Sequence, residues 1–214
     1  MKSSMSAAAL AAAFGLVIAP AAFAQAPPPA NEVSISKLAL NLLPAKKGAT
    51  LKVSSPAFPD MGDIPYENTQ YRGNIFPGLG WSKGPKGTQS YAVIMQDTDG
   101  NHGGDAILHW TLFNIPAGVT KLDAGLSAPP AGAMFGPNVA GPHHPFMGPR
   151  TPAGPKHRYH LQVFALDTVL QGDPGMTWAQ LKAALTDHVL ASGQTIGLGS
   201  VDPNAPKPAP KPAG

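Results

Sequence analysis

The chain has 214 residues and a formal net charge of +3, with 24 glycines, 25 prolines and no cysteine. Without cysteine there can be no disulfides, so the apolar core alone must hold the fold together. Only 13% of the residues are charged and the basic ones form no evident groove, so we expect no nucleic acid partner.

The N-terminus has the order of a secretory signal peptide. Lys2 precedes an apolar run at 7–19, Pro20 interrupts that run, and a small-residue sequence ends at Ala24. A basic start, a short apolar stretch and an Ala-x-Ala motif are typical of a cleaved signal, and the stretch is too short to cross a bilayer. We therefore expect cleavage after Ala24, a periplasmic or secreted protein, and no transmembrane segment in the mature chain.

Composition divides the rest of the chain into three parts. Residues 25–32 are rich in proline and predict an extended spacer. Residues 33–200 have the size of one ordinary domain. Residues 201–214 alternate proline, alanine and lysine, which predicts a disordered tail because such a segment has nothing to bury.

Short apolar runs between frequent glycines and prolines predict a mainly β domain with long loops. One helix stands out, because Thr177 and Gln180 form a capping-box pattern. We expect this helix to end at Gly193 and to carry His188 as a buried, hydrogen-bonded residue. The predicted strands cover 34–42, 51–53, 90–96, 107–115 and 159–167.

Alternation along the strands predicts which side chains share a face, because successive residues of a strand point to opposite sides. Each of three predicted faces carries a polar residue among apolar ones, and such a residue is either satisfied in the core or displayed at a site. His160 would lie on the face opposite to His157. The three faces are Tyr91, Val93, Met95 and Asp97; Ile107, His109, Thr111 and Phe113; and His157, Tyr159, Leu161 and Val163.

Asp97, His109 and His157 are the candidate site residues. A histidine beside a carboxylate is stabilised as a cation, and the Gly/Pro loop before His157 would add backbone N–H donors. Such a group suits a phosphate monoester or a phospholipid headgroup, which charge-assisted hydrogen bonds hold strongly.

Two other chemistries remain open at this point. The chain has no Gly-x-Ser-x-Gly elbow and no cysteine, so we expect no enzyme, although Asp97 and a histidine could still activate water. Seven histidines and the soft ligands Met134 or Met147 leave a copper-binding protein as an alternative. The spacing of the histidines matches no helical zinc motif, and we expect no metal or other cofactor.

Several segments resemble the phosphatidylethanolamine-binding protein family, whose bacterial branch is known as Raf kinase inhibitor-like proteins. They are the segment from Asn74 to Trp81, the run from Tyr91 to Asp99, His109-Trp110, and Gly148 to Tyr159. The resemblance implies an antiparallel β-sandwich with a small C-terminal helical part and an anion-binding pocket at one end.

Carried over residue by residue, the resemblance implies a pocket with Asp97, His109 and His157 as polar groups. It also implies Tyr159 and Pro152 as the wall, Asp99 as a second aspartate of the site, and Arg158 as a structural residue on the opposite face. The expected function is non-catalytic binding of a small anionic or phosphorylated ligand, with a modulated protein partner as a further expectation. Inhibition of a protease or kinase through the pocket loops is the alternative from another class.

Overall fold

The structure, a computed structural model, describes residues 35–102 and 105–205. The predicted signal peptide at 1–24 and spacer at 25–32 lie outside the described residues, as does most of the predicted tail. In the part that is described, no helix is long and apolar enough to cross a membrane.

The described chain is built mainly from strands joined by long loops. The helices are α1 (Ala39–Leu42) and α2 (Trp178–Leu185), and short 3-10 turns cover Ile35–Lys37 and Tyr66–Asn68. The strands are β1 (Ala49–Thr50), β2 (Val53–Ser54), β3 (Gly62–Asp63), β4 (Leu79–Trp81), β5 (Ser90–His102), β6 (Asp105–Pro116), β7 (Lys121–Leu122), β8 (Met134–Phe135), β9 (His157–Leu166) and β10 (Val189–Gly199).

Two sheets face each other, which confirms the predicted sandwich. Within the described residues, the larger sheet has seven strands in the order β1-β10-β9-β5-β6-β8, with β3 also paired to β10, and the smaller has the order β2-β4-β7. The long central pairs are antiparallel, whereas β1 and β3 each pair with β10 in parallel.

The larger sheet is buried on both faces. One face packs against the smaller sheet around an inter-sheet core that includes Trp110, Tyr91 and Leu79. The opposite, outer face is covered by the helices, through Leu181 of α2 and Ala39 of α1. The domain therefore has three layers, and a residue on the central strands meets one of two different cores according to its face.

The predicted strand at 34–42 is wrong, because this segment forms a 3-10 turn followed by α1. Its apolar residues recur at helical rather than strand spacing, and Leu38, Ala39 and Leu43 are buried. The backbone N–H of Ala39 donates to Gln96 Oε1 at 2.8 Å, and that of Leu40 donates to Gln162 Oε1 at 2.7 Å. The segment is therefore held by side chains of the sheet and not by pairing with a neighbouring strand.

The capping box at Thr177 and Gln180 is confirmed, but the predicted extent of the helix is wrong. The helix ends at Leu185, Asp187 has a φ of 64°, and the chain then enters β10. His188 lies at this reversal with 44% of its side chain exposed, and its Nδ1 is 2.7 Å from Asp167 Oδ1. It is thus hydrogen-bonded as expected, but it is not a core residue.

The ordered chain continues beyond Ser200, where we predicted the domain to end. Asp202 is buried, and its Oδ2 accepts a hydrogen bond of 2.7 Å from Arg72 Nε. The Tyr66 hydroxyl donates to the carbonyl of Val201 at 3.2 Å. The first residues of the predicted tail are therefore attached to the domain.

We expect the substitution Leu181→Ala to lower the free energy of unfolding by about 2–5 kcal/mol, because it would leave a cavity between α2 and the sheet. Leu181 is fully buried, whereas Leu42 of α1 is 45% exposed and serves as a matched control. Leu42→Ala should cost within about 0.5 kcal/mol. Urea denaturation measures both, and equal losses would contradict the packing described for α2.

Candidate functional site

Three adjacent strands carry the candidate site residues. Strand β5 lies between β9 and β6, and Asp97 of β5 is in register with Tyr159 of β9 and Ile107 of β6. His157 begins β9, and Asp97 lies on the same face as Tyr91, Val93 and Met95, as alternation predicts. The pairing of β5 and β9 therefore brings Asp97 and His157 together.

His109 reaches the site through a β-bulge. Met95 pairs with Trp110 and the next residue, Gln96, pairs with Leu108, so His109 is an extra residue in β6. Leu108 then faces the outer core and Trp110 the inter-sheet core, while the His109 ring contacts the Tyr159 ring. A bulge re-aims a side chain that strict alternation would send elsewhere.

The predicted grouping of His109 with Thr111 and Phe113 is therefore wrong. Phe113 belongs to the outer core, and Thr111 pairs with Ile94 of that same core. The expectation that His109 approaches Asp97 and Tyr159 holds because of the bulge.

Asp97 and His157 form a hydrogen-bonded pair. His157 Nδ1 lies 2.8 Å from Asp97 Oδ2, with 14% of the histidine side chain and 3% of the aspartate side chain exposed. Asp97 Oδ1 accepts the backbone N–H groups of Asp99 at 2.8 Å and Gly100 at 3.0 Å. The hydrogen bond that His157 donates to Asp97 raises the pKa of His157 against the opposing effect of burial, so the cationic form is favoured.

His109 has the opposite electrostatic tendency. Its Nδ1 lies 3.1 Å from the carbonyl oxygen of Met147. Because a carbonyl can only accept, the proton of the neutral ring is on Nδ1. Burial lowers the pKa of His109 although Asp97 acts in the other direction, so the neutral form is favoured.

Tyr159 lies between the two histidines. Its ring centroid is 5.1 Å from that of His109 in an edge-to-face contact and 6.4 Å from that of His157 in a stacked one. Its hydroxyl is 2.9 Å from Thr151 Oγ1, and burial raises the pKa of the phenol strongly. Tyr159 is therefore a neutral wall whose polar end is tied to Thr151.

The loop before β9 is held by two side chains that the sequence analysis did not assign to the site. Gln70 Nε2 donates to the Gly148 carbonyl at 2.6 Å, and Asn74 Oδ1 accepts the Gly148 N–H at 2.7 Å. Asn74 Nδ2 also donates to the Phe146 carbonyl at 2.9 Å. These bonds fix the carbonyl of Met147 that orients His109. Asn74 belongs to the motif that carries the family resemblance, which was the available signal.

Asp99 and Arg158 pair with each other, as the resemblance implies for Arg158. Asp99 Oδ2 accepts the Arg158 backbone N–H at 2.7 Å and its Nε at 2.9 Å, and Oδ1 accepts Nη2 at 2.5 Å. Burial alone would raise the pKa of Asp99, but the bonds from Arg158 lower it below its usual value. The carboxylate of Asp99 is thus committed to Arg158, and its role in ligand binding stays a prediction.

The two remaining predicted positions are Pro152 and His160. Pro152 is exposed and follows the buried Thr151, so its role as a wall stays a prediction. His160 lies on the outer face. Its Nε2 is 3.2 Å from Thr98 Oγ1, and its Nδ1 is 3.0 Å from Gln194 Oε1. The opposite orientation of His157 and His160 is confirmed.

The copper alternative gains no support from the arrangement of the side chains. No group of three or more His, Asp or Glu side chains that could hold a metal is found among the residues the structure describes. Met134 packs against the outer core, whereas Met147 contacts Asn138 through its sulfur at 3.7 Å.

Comparison with known proteins gives a consistent set of matches. The family model described as phosphatidylethanolamine-binding protein matches residues 54–200. A protein of Methanothermobacter thermautotrophicus named UPF0098 is 37% identical over 153 residues, covering 69% of this chain and 97% of its own length. LppC of Mycobacterium tuberculosis, which is named as a candidate lipoprotein, is 32% identical over 160 residues, covering 74% and 76%.

Two crystal structures are also similar. YbcL of Escherichia coli, described as a new member of the mammalian PEBP family, has a TM-score of 0.66 at 29% identity, covering 72% of this chain and 100% of its own. A homologue of phosphatidylethanolamine-binding protein from Chlamydia trachomatis has a TM-score of 0.65 at 29% identity, covering 72% and 99%.

The Asp97–His157 pair predicts a specific pH dependence of stability. Because the folded-state pKa of His157 is raised, its contribution is fully present below the unfolded pKa of about 6.5 and is lost as the pH rises through the folded-state value. We expect His157→Gln to destabilise the protein more at about pH 5.5 than at about pH 9. Urea denaturation of the wild type and of His157→Gln at both pH values measures this. The wild type and the variant both contain His109 and His160, so the opposite pH dependence of those residues cancels when the two free energies of unfolding are subtracted. A pH-independent difference would contradict the pair.

Gly148→Ala should displace the loop that orients His109. A Cβ at this position would lie 2.4 Å from the carbonyl oxygen of Asn68, whereas one at Gly118 would meet nothing within 4 Å. We expect a loss of about 1–3 kcal/mol in the free energy of unfolding for Gly148→Ala, as for other overpacked sites. Gly118→Ala is the control, and NMR of the His109 ring should change in the first variant alone. An unchanged ring signal in Gly148→Ala would contradict the proposed fixing of His109.

Proposed function

Since the chain belongs to the phosphatidylethanolamine-binding protein family, we propose that it binds a small anionic ligand of the phosphate type through His157 and His109. The family membership establishes a binding-protein fold. The observation that carries the finer proposal is the hydrogen-bonded Asp97–His157 pair at the end of the central strands.

The pair supplies a charged donor that is already oriented. Asp97 uses Oδ2 for His157 and Oδ1 for two backbone N–H groups, so its carboxylate is satisfied and fixes the ring. Nδ1 of His157 faces Asp97, which leaves Nε2 for a ligand. A cationic N–H donor that is held in place loses little entropy on binding, and charge-assisted hydrogen bonds are the strong ones.

The exposure of the pair favours a site over a purely structural network. Asp97 is almost fully buried, whereas the His157 side chain is 14% exposed. The buried carboxylate thus supports a cation that remains accessible. This is the arrangement expected when a positioned histidine contacts a ligand and its acidic partner does not.

The hydroxyl groups of the site support binding without catalysis. The Tyr159 and Thr151 hydroxyls bond to each other, and Thr98 bonds to His160 on the outer face. None of these hydroxyls is paired with His157, so that ring does not activate a Ser or Thr nucleophile among the residues that the structure describes.

We also propose that the protein acts outside the cytoplasm. The signal-like N-terminus supports this, as does the name of the Mycobacterium tuberculosis relative.

NMR titration of the histidine rings with inorganic phosphate and with phosphoethanolamine tests the proposed function. We expect saturable shifts of the His157 ring, and His157→Gln should weaken binding about ten- to a hundred-fold, the loss of one charge-assisted hydrogen bond worth roughly 1.5–3 kcal/mol. Because chelator should have no effect, its addition separates this site from a metal site.

His188→Gln is the matched control for that titration. His188 is also paired with an aspartate, Asp167, at 2.7 Å, but beside the opposite end of β9. This variant should bind as the wild type does. Equal weakening in both variants, or none in His157→Gln, would sink the proposal.

A further inference from the structure

The two histidines offer a ligand different hydrogen-bonding groups. His109 donates from Nδ1 to the Met147 carbonyl at 3.1 Å, the Gly148 backbone also lies against the ring, and no N–H or O–H group of the residues that the structure describes donates to Nε2. In the neutral ring with its proton on Nδ1, Nε2 carries a lone pair and can only accept. His109 therefore needs a donor from outside the protein.

His157 is the complementary case. Its Nδ1 donates to the Asp97 carboxylate at 2.8 Å, and this bond favours the cationic form of the ring, which carries a second proton on Nε2. His157 therefore offers a donor where His109 offers an acceptor. Both rings pack against Tyr159, with centroid distances of 5.1 and 6.4 Å, so a ligand that contacted both would find a donor on one ring and an acceptor on the other.

We propose that the site selects oxyanions that carry a hydroxyl proton, such as a phosphate monoester in its monoanionic form, over oxyanions of equal charge without one. An anionic oxygen accepts from His157 Nε2, and the P–OH group donates to His109 Nε2. This selectivity rests on the proposed anion site and defines its ligand class.

The neighbouring groups do not fill the role of donor to His109. The titratable groups that face its ring are Asp97 on β5 and His157 and Tyr159 on β9. Asp97 can only accept, and the Tyr159 hydroxyl has Thr151 and Asp97 as its side-chain partners. An anion without a proton would direct another lone pair at Nε2 of the buried residue His109, and would displace water from this nitrogen without supplying a donor in its place.

The tautomer of His109 is fixed by the fold rather than by the ligand. The Met147 carbonyl is held through the bonds of Gln70 and Asn74 to the adjacent residues of its loop. Turning the ring would break its bond to this carbonyl inside the protein. Burial also lowers the pKa of His109, which disfavours the doubly protonated ring that would donate from both nitrogens.

Methyl phosphate and methyl sulfate are the pair of probes that isolates the proton. They have nearly the same size and shape, and at about pH 5.5 both carry about one negative charge, since the second pKa of a phosphate ester is about 6. Only methyl phosphate then has a hydroxyl group. We expect the purified protein to bind methyl phosphate roughly ten- to a hundred-fold more tightly in calorimetric titrations.

Two further measurements attribute the selectivity to His109. In His109→Phe, which keeps a ring without polar atoms, the two probes should bind equally. Nitrogen NMR of the wild-type ring is independent of how that variant folds. It should show the Nδ1–H tautomer without ligand and a hydrogen-bonded Nε2 with methyl phosphate, but no such bond with methyl sulfate.

The possible results separate this inference from the proposed function. If both probes bind with equal affinity to the wild type, the anion site stands and the selectivity is wrong. If the free His109 ring is protonated on both nitrogens, the selectivity is also wrong. If neither probe binds, the proposed function fails and this inference fails with it.

Discussion

The candidate site depends on the burial of one carboxylate. Asp97 has 3% of its side chain exposed, and a carboxylate in such a place must be paired and hydrogen-bonded to remain charged. Oδ1 satisfies the requirement with two backbone N–H groups at the end of β5, which fixes the turn that follows. Oδ2 accepts a hydrogen bond from His157, which favours the charged form of that ring. A single buried charge thus sets both the local backbone and the electrostatic character of its neighbour.

The two histidines of the site differ because their partners differ. His157 bonds to a charged acceptor and is partly exposed, whereas His109 bonds to a neutral carbonyl and is buried. The pKa of His157 is therefore raised, which favours the cation, whereas the pKa of His109 is lowered, which favours the neutral form. The protein itself produces this difference between the two rings. The pairing of β5 and β9 gives His157 its partner Asp97, and the loop held by Gln70 and Asn74 gives His109 its partner, the Met147 carbonyl.

Sequence reasoning predicts the parts of the site that depend on regular alternation. Asp97, Tyr159 and Leu161 point to the inter-sheet core as expected, because β5 and β9 pair without a bulge between them. The orientation of His109 depends on one extra residue in β6, and no pattern of apolar residues marks that position. The clamp of Gln70 and Asn74 could not be predicted either, since it joins segments more than seventy residues apart in the chain.

The errors in the fold have equally specific causes. The segment from Ile35 to Leu42 repeats its apolar residues at helical spacing, but its length and β-rich context suggested a strand. Strand β10 was not predicted because the helix was expected to continue to Gly193, whereas Gly193, Gly197 and Gly199 all lie within the strand. In the structure these glycines allow other groups to pack closely against the strand. A Cβ on Gly199, for example, would lie 2.4 Å from the Tyr159 ring.

The parallel pairing of β10 has a consequence for how the chain folds. This strand lies close to the end of the domain, yet it pairs with β1 and β3 from its beginning as well as with β9. The larger sheet therefore cannot be completed until nearly all of the domain has left the ribosome. Such long-range pairings close late and slowly, because the entropy of a large loop is lost before the contacts form. A chain that lacks β10 also lacks the strand that joins β1 and β3 to β9, so the larger sheet would be left in separate pieces.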